Sequence, residues 1–278
     1  MGDLAADSAV AQVDEGRYVA RLSRDWEIWG PMGGYVAAVA LRAAGAASPF
    51  GRPASFSCHY LAVAGFDEVQ LAVAPVRVGR GAASQRVSVT QGDRTIMEAL
   101  VWSIPDTEGL EHDESALPDG VLGPEHYRPI EELVGPEDPK PPFAFWDNFE
   151  SRPLRFVRPW PPTEPLPARW QNWLRFLTWQ PGADPWLEAA RLVLLADLPS
   201  WPSGNLPHAH KGHRFFAPTL DLQVSLHRLA PDEPWLLLEG TSPVASDGLM
   251  AFTSRLWTPA GRLVASGGGQ TLFRGAAG

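Results

Sequence analysis

With 278 residues, 45% of them hydrophobic, the chain is long enough to bury a large core as one or two globular domains. A formal net charge of −9 excludes a general nucleic-acid binder, because an acidic surface gives no electrostatic footprint for a phosphate backbone. The one cysteine, Cys58, can form no intrachain disulfide and, within Ser-Phe-Ser-Cys-His-Tyr, reads as a small strand hydrophobe rather than a nucleophile.

Met1 to Glu15 is acidic and lacks the basic and apolar signature of a leader, and no run reaches membrane-spanning length. These features predict a cytoplasmic protein with no membrane partner. The first organised element opens at Trp29-Gly-Pro-Met-Gly-Gly-Tyr-Val and runs as a helix to about Ala46, apolar nearly all round, with Arg42 as its charged residue. Such a helix is surrounded by protein. Gly33 and Gly34 at its opening admit two readings. A ligand oxygen could approach the unsatisfied N–H groups and the positive end of the dipole, or the glycines could serve close packing.

Strands are predicted over Ser55 to Val63, Asp67 to Val78, Ala83 to Gln91 and Thr95 to Ile104, with Gly79-Arg80-Gly81 and Gly92-Asp93 as turns. One helix followed by antiparallel strands is an α+β pattern. From Pro105 the texture turns acidic and proline-rich, with Pro141-Pro142 and Pro161-Pro162. Phe145, Trp146, Trp160, Trp170 and Trp173 predict that this connector, residues 105–182, packs on the domains.

The order then repeats. Asp184 is a good N-cap and Pro185 suits the first helical position, so a second helix runs from Trp186 to Asp197. Strands follow over Pro218 to Leu229, Trp235 to Thr241, Leu249 to Trp257 and Arg262 to Phe273. The chain reads as an internal duplication: an N-terminal half over 1–104 and a C-terminal half over 183–278, each one long helix wrapped by an antiparallel sheet.

Asp197 stands out because Val193, Ala190 and Trp186 share its side of the second helix, while Glu188 and Arg191 point elsewhere. A carboxylate on a buried stripe, near the negative end of a helix, is costly. It is either a catalytic acid or base with a perturbed pKa or a C-terminal Asp turned to water before Pro199.

These residues bear a family likeness. Trp-Gly-Pro-Met-Gly-Gly-Tyr-Val-Ala-Ala at 29–38, Val-Gly-Arg-Gly-Ala-Ala-Ser at 78–84, Leu-Ala-Asp at 195–197, Thr-Leu-Asp at 219–221, Leu-His-Arg at 226–228, Trp-Leu-Leu at 235–237 and Gly-Arg-Leu-Val-Ala-Ser at 261–266 resemble the double-hotdog acyl-CoA thioesterases of the bacterial thioesterase II type. The match is dispersed but ordered, spanning both halves and leaving the connector uncovered. The resemblance implies hydrolysis of acyl-CoA thioesters with no cofactor and no metal. It also implies a catalytic acid at the end of the second-half helix, a Ser or Thr opening the next strand and a Gln on the last strand, which fall on Asp197, Thr219 and Gln270. A carboxylate and a hydroxyl can hold and deprotonate water, and an amide can orient the water or the thioester carbonyl. Gly33, Gly34 and Tyr35 are the expected substrate-binding element.

Two positions strain this assignment. Alternation puts Thr219, Asp221, Gln223 and Ser225 on one face and the leucines on the other, so the strand must bend at its start for Thr219 to face the helix. Gln270 follows three glycines and sits about one residue out of register, which requires a bulge. The duplication predicts one working site: aligned by their ends, the helices pair Gly45 with Asp197 and Gly33-Gly34 with Pro185-Trp186, so a second site would lack both the acid and an N–H.

His208, His210 and His213 could bind metal but lie in a Pro/Gly-rich loop without nearby acids or cysteines and read as a solvated loop. Asn205-Leu-Pro-His208 resembles the Asp-x-Asn-Pro-x-His motif of hotdog hydratases, with order and spacing broken. A hydratase or dehydratase and a noncatalytic acyl or acyl-CoA binding protein on the same fold are the alternatives. Apolar residues on outer sheet faces predict a homodimer.

Overall fold

The structure, a computed structural model, describes residues 1–135, 143–212 and 215–275. The N-terminal half contains a short helix α1 (Leu4–Asp7), strands β1 (Ala11–Asp14) and β2 (Arg17–Arg21), the long helix α2 (Gly33–Ala47), and strands β3 (Arg52–Tyr60), β4 (Glu68–Val78), β5 (Ala83–Gln91) and β6 (Arg94–Ile104). A one-turn helix α3 (Ile130–Leu133) precedes β7 (Phe149–Pro153), β8 (Arg169–Phe176), the second long helix α4 (Pro185–Asp197) and the short α5 (Ser200–Asn205). There follow β9 (Phe215–Phe216), β10 (Thr219–Leu226), β11 (Trp235–Thr241), β12 (Ala245–Ser246), β13 (Leu249–Trp257), β14 (Leu263–Leu272) and β15 (Arg274–Gly275).

Thirteen of these strands form one antiparallel sheet in the order β1-β2-β4-β5-β6-β3-β10-β14-β13-β11-β8-β7, with β12 attached to β13; β9 and β15 pair separately. The halves meet at β3 and β10, where His59 lies opposite Asp221 and Ser55 opposite Ser225. Reading outward from this seam, each half repeats the same order. The molecule is a double hotdog, as the duplication predicts.

The order also corrects the connector. Residues 105–182 supply β7 and β8, which stand to β11 as β1 and β2 stand to β4, so the second half begins inside that segment. Its earlier part is a cover. Trp173, Leu237 and Trp257 sit opposite one another on the outer face of β8, β11 and β13. Leu117, Val121 and Tyr127 pack on them, and the Trp173 indole N–H donates to the Leu122 carbonyl at 3.1 Å.

Both long helices lie inside the sheet. From Gly34 to Ala44 every residue of α2 except Arg42 is buried, and in α4 everything from Trp186 to Asp197 is buried. The Asp184 side chain accepts from the N–H groups of Trp186 and Leu187, capping α4 as its sequence predicts. The polar residues of α4 are internally matched. Arg191 grips the Glu188 carboxylate with two bonds of 2.8 and 2.9 Å, reaches the Glu233 carbonyl and stacks over Trp179. A buried charge without those partners would cost several kcal/mol, on the order of 3 to 5 if one member were removed.

Candidate active site

The helices run antiparallel and touch at both ends through glycine. A Cβ placed on Gly34 would lie 2.5 Å from the Leu194 carbonyl oxygen, and one on Gly45 would lie 2.5 Å from the Trp186 indole. Glycine at 34 therefore brings the opening turn of α2 against the closing turn of α4, where Asp197 sits.

Asp197 does not turn to water. It is 4% exposed, its Oδ2 accepts from the Gly34 N–H at 2.9 Å, and its Oδ1 accepts from the Thr219 hydroxyl at 2.8 Å. Burial pushes its pKa up to about 6, against the opposing pull of the Thr219 and Gly34 bonds. A base with that pKa is ionised at neutral pH and close enough to it to accept a proton readily.

Thr219 reaches the acid through a bulge. Thr219 pairs with Thr271, but Asp221 pairs with Gln270, so Leu220 is an extra residue that reverses the alternation. Before it, Thr219 shares the inner face with the fully buried Thr271; after it, Leu222 and Val224 face inward and Asp221 outward. The bend demanded by the leucine pattern is present.

Gln270 stays apart from the pair, because β14 alternates regularly against β13 at this position and has no bulge of its own there. Gln270 is exposed on the outer face beside Asp221, while its neighbour Thr271 points inward and donates to the Met250 carbonyl. Tyr35 is also absent from the site. Its ring stacks on Trp26 at 5.4 Å, its hydroxyl donates to the Asp7 carbonyl at 2.7 Å and accepts from the Ser23 N–H, and burial pushes its pKa up. It ties the N-terminal segment to α2. Gly33 does border the acid: a Cβ there would fall 2.9 Å from Asp197 Oδ2.

One neighbour escaped the sequence reading. That same Cβ position on Gly33 lies 3.3 Å from the ring of Tyr60, which projects inward from the end of β3 beyond Phe56 and Cys58. The period-two alternation of β3 carries this signal, since Phe56, Cys58 and Tyr60 share one face. Cys58 is buried, and desolvation pushes its thiol well above the usual range, so it is no thiolate nucleophile.

At the opposite end of the helix pair, Gly45 stands where this end has Asp197, and the acid present there, Asp184, is the cap of α4. There Trp186 covers Gly45, and Arg42 pairs with Asp184 at 2.8 Å. Of the histidine run, His208 and His210 lie at and within a one-turn 3₁₀ helix, and His213 falls outside the described residues. Among the described residues no group of three His, Cys, Asp or Glu side chains is placed to hold a metal ion.

Comparison with known proteins agrees with this architecture. In fold, the chain is similar to the acyl-CoA thioesterase II TesB2 of Mycobacterium marinum, at 20% identity and a TM-score of 0.78, with 99% of each chain covered. It is similar to the tesB protein of Mycobacterium avium subs paratuberculosis at 21% identity and a TM-score of 0.77, covering 98% of each chain. A CurJ dehydratase is more distant, at 10% identity and a TM-score of 0.55, covering 99% of this chain and 98% of that one. Two family models match the sequence in succession, one described as the acyl-CoA thioesterase N-terminal domain over residues 22–104 and one as the acyl-CoA thioesterase C-terminal domain over residues 124–271. With both halves matched in order, the chain belongs to the acyl-CoA thioesterase family and is a thioester hydrolase.

Proposed function

We propose that the chain hydrolyses acyl-CoA thioesters to free acid and CoA by direct attack of a water molecule that Asp197 deprotonates. The observation that supports this reading is the buried Asp197 carboxylate held between the Gly34 N–H and the Thr219 hydroxyl. Each carboxylate oxygen keeps a further lone pair after those bonds, enough to accept from one water. Thr219 fixes the carboxylate and can accept from the same water. Cys58, held as a neutral thiol, is not a competing nucleophile. A homodimer through the outer face of the N-terminal half is supported by Leu100 and Trp102 of β6, 46% and 39% exposed, where the C-terminal half has its own cover.

The test is thiol release over a panel of acyl-CoAs of graded chain length, for the native chain and for Asp197→Asn. Release by the native chain and its loss in the variant support the reading. Absorbance change of an enoyl-CoA without thiol release would mean hydration, and saturable binding with neither would mean an acyl carrier.

A further inference from the structure

We propose that Tyr60 is a catalytic residue, its hydroxyl donating a hydrogen bond to the thioester carbonyl oxygen and to the oxyanion that forms as water adds. The proposal rests on the hydrolytic reading of Asp197 given above. The Tyr60 hydroxyl is buried and makes no hydrogen bond of good geometry among the described residues, its polar neighbour being the Cys58 thiol, a weak acceptor held neutral. A buried phenol facing only a thiol is poorly satisfied and uncommon, and a stronger acceptor that arrives with the substrate explains why it is kept. Its position fits that partner. The ring stands against Gly33, where a Cβ would fall 2.9 Å from Asp197 Oδ2 and 3.4 Å from the Tyr60 ring carbon that bears the hydroxyl, so phenol and carboxylate both lie against the opening turn of α2.

The other donors nearby are committed. The Gly34 N–H and the Thr219 hydroxyl both bind Asp197, and Gln270, the expected partner of the carbonyl, faces outward. Tyr60 enters from the N-terminal half and supplies the missing donor. Burial first, then the neighbouring Cys58 and Asp197, push its pKa well up, so the hydroxyl keeps its proton at neutral pH. In the reaction, water adds to the carbonyl carbon as Asp197 takes its proton, and the oxyanion forms against Tyr60. Collapse breaks the C–S bond, and the proton on Asp197 passes to the thiolate, leaving acid and thiol.

Tyr60→Phe removes only the hydroxyl. Thiol release should fall about 10² to 10³-fold, the scale for one oxyanion donor, chiefly in kcat, with Tm unchanged or higher because the lost group was poorly satisfied. The midpoint of the pH–rate profile should stay where Asp197 puts it. Cys58→Ala should keep native turnover, which separates the phenol from the thiol beside it. Native turnover in Tyr60→Phe, a matching fall in Tm, full activity recovered at a shifted pH, or an equal loss in Cys58→Ala would each overturn the proposal. If Asp197→Asn retains native turnover, the hydrolytic reading itself fails; if Asp197→Asn is inactive and Tyr60→Phe is not, Tyr60 alone is misassigned.

Discussion

At the scale of single residues, the position of Asp197 sets opposite demands on activity and stability. Its pKa of about 6 in the fold lies above the ordinary 3.8, so the folded chain binds this proton more tightly than the unfolded one. Its favourable contribution is therefore complete below pH 4 and lost as pH rises through 6; at pH 8 the buried charge costs up to about 3 kcal/mol. Asp197→Asn escapes that cost, because its amide oxygen can accept from Gly34 while its NH₂ donates to Thr219, which turns from donor to acceptor. The variant should melt above the native chain at pH 8, with the gain vanishing near pH 4, and its turnover should fall about 10² to 10⁴-fold. A lower melting temperature at pH 8 would make the carboxylate structural. Thr219→Val removes a bond that holds the Asp197 pKa down. The midpoint of its pH–rate profile should move above that of the native chain, and an unmoved midpoint would sever Thr219 from the acid.

At the scale of elements, the two central helices meet more closely than side chains allow. A methyl at Gly34 would press on a backbone oxygen of α4, which cannot swing aside as a flexible side chain could. Gly34→Ala should thus cost about 1 to 3 kcal/mol, the usual range for overpacking, and spread α2 from α4. Because the Gly34 N–H holds Asp197, turnover should fall in the same variant. Denaturant unfolding and thiol release measured together check this, and loss of activity at full stability would show that the glycine serves only a ligand. The bulge at Leu220 is a second device of this kind: one extra residue keeps Thr219 on the acid's face.

At the scale of the molecule, duplication builds two equivalent places and furnishes one. At the first, glycine of α2 meets the acid of α4; at the second, the Trp186 indole lies over Gly45. The outer faces differ likewise. Residues 117–127 cover the C-terminal sheet, whereas Leu100 and Trp102 on the N-terminal sheet lie open. A second copy laid on that open face would bury both. Trp102→Glu should shift the sedimentation coefficient from dimer to monomer with the fold intact, and a native chain that sediments as a monomer would remove the idea.

Short-range regularities carried much of this protein. The apolar girth of α2, the capping of α4 by Asp184 and Pro185, the alternating strands and their repetition are local signals, and they specify the helices, most of the strands and the doubled plan. Asp197 was legible for the same reason, as an acid on a buried stripe. What depended on long-range pairing was not legible. The connector's strands β7 and β8 become strands by pairing with each other, and β8 with β11, and they lie in a proline-rich segment that hides them from a local reading. Tyr35 and Tyr60 both lie near the glycine opening in sequence or in space, yet only the packing sends one to Trp26 and the other to Asp197. Gln270 fell outside the site because β14 pairs with β13 there without the bulge that its register required. Periodicity gives each segment its two faces; only the assembled sheet says which face meets the helices.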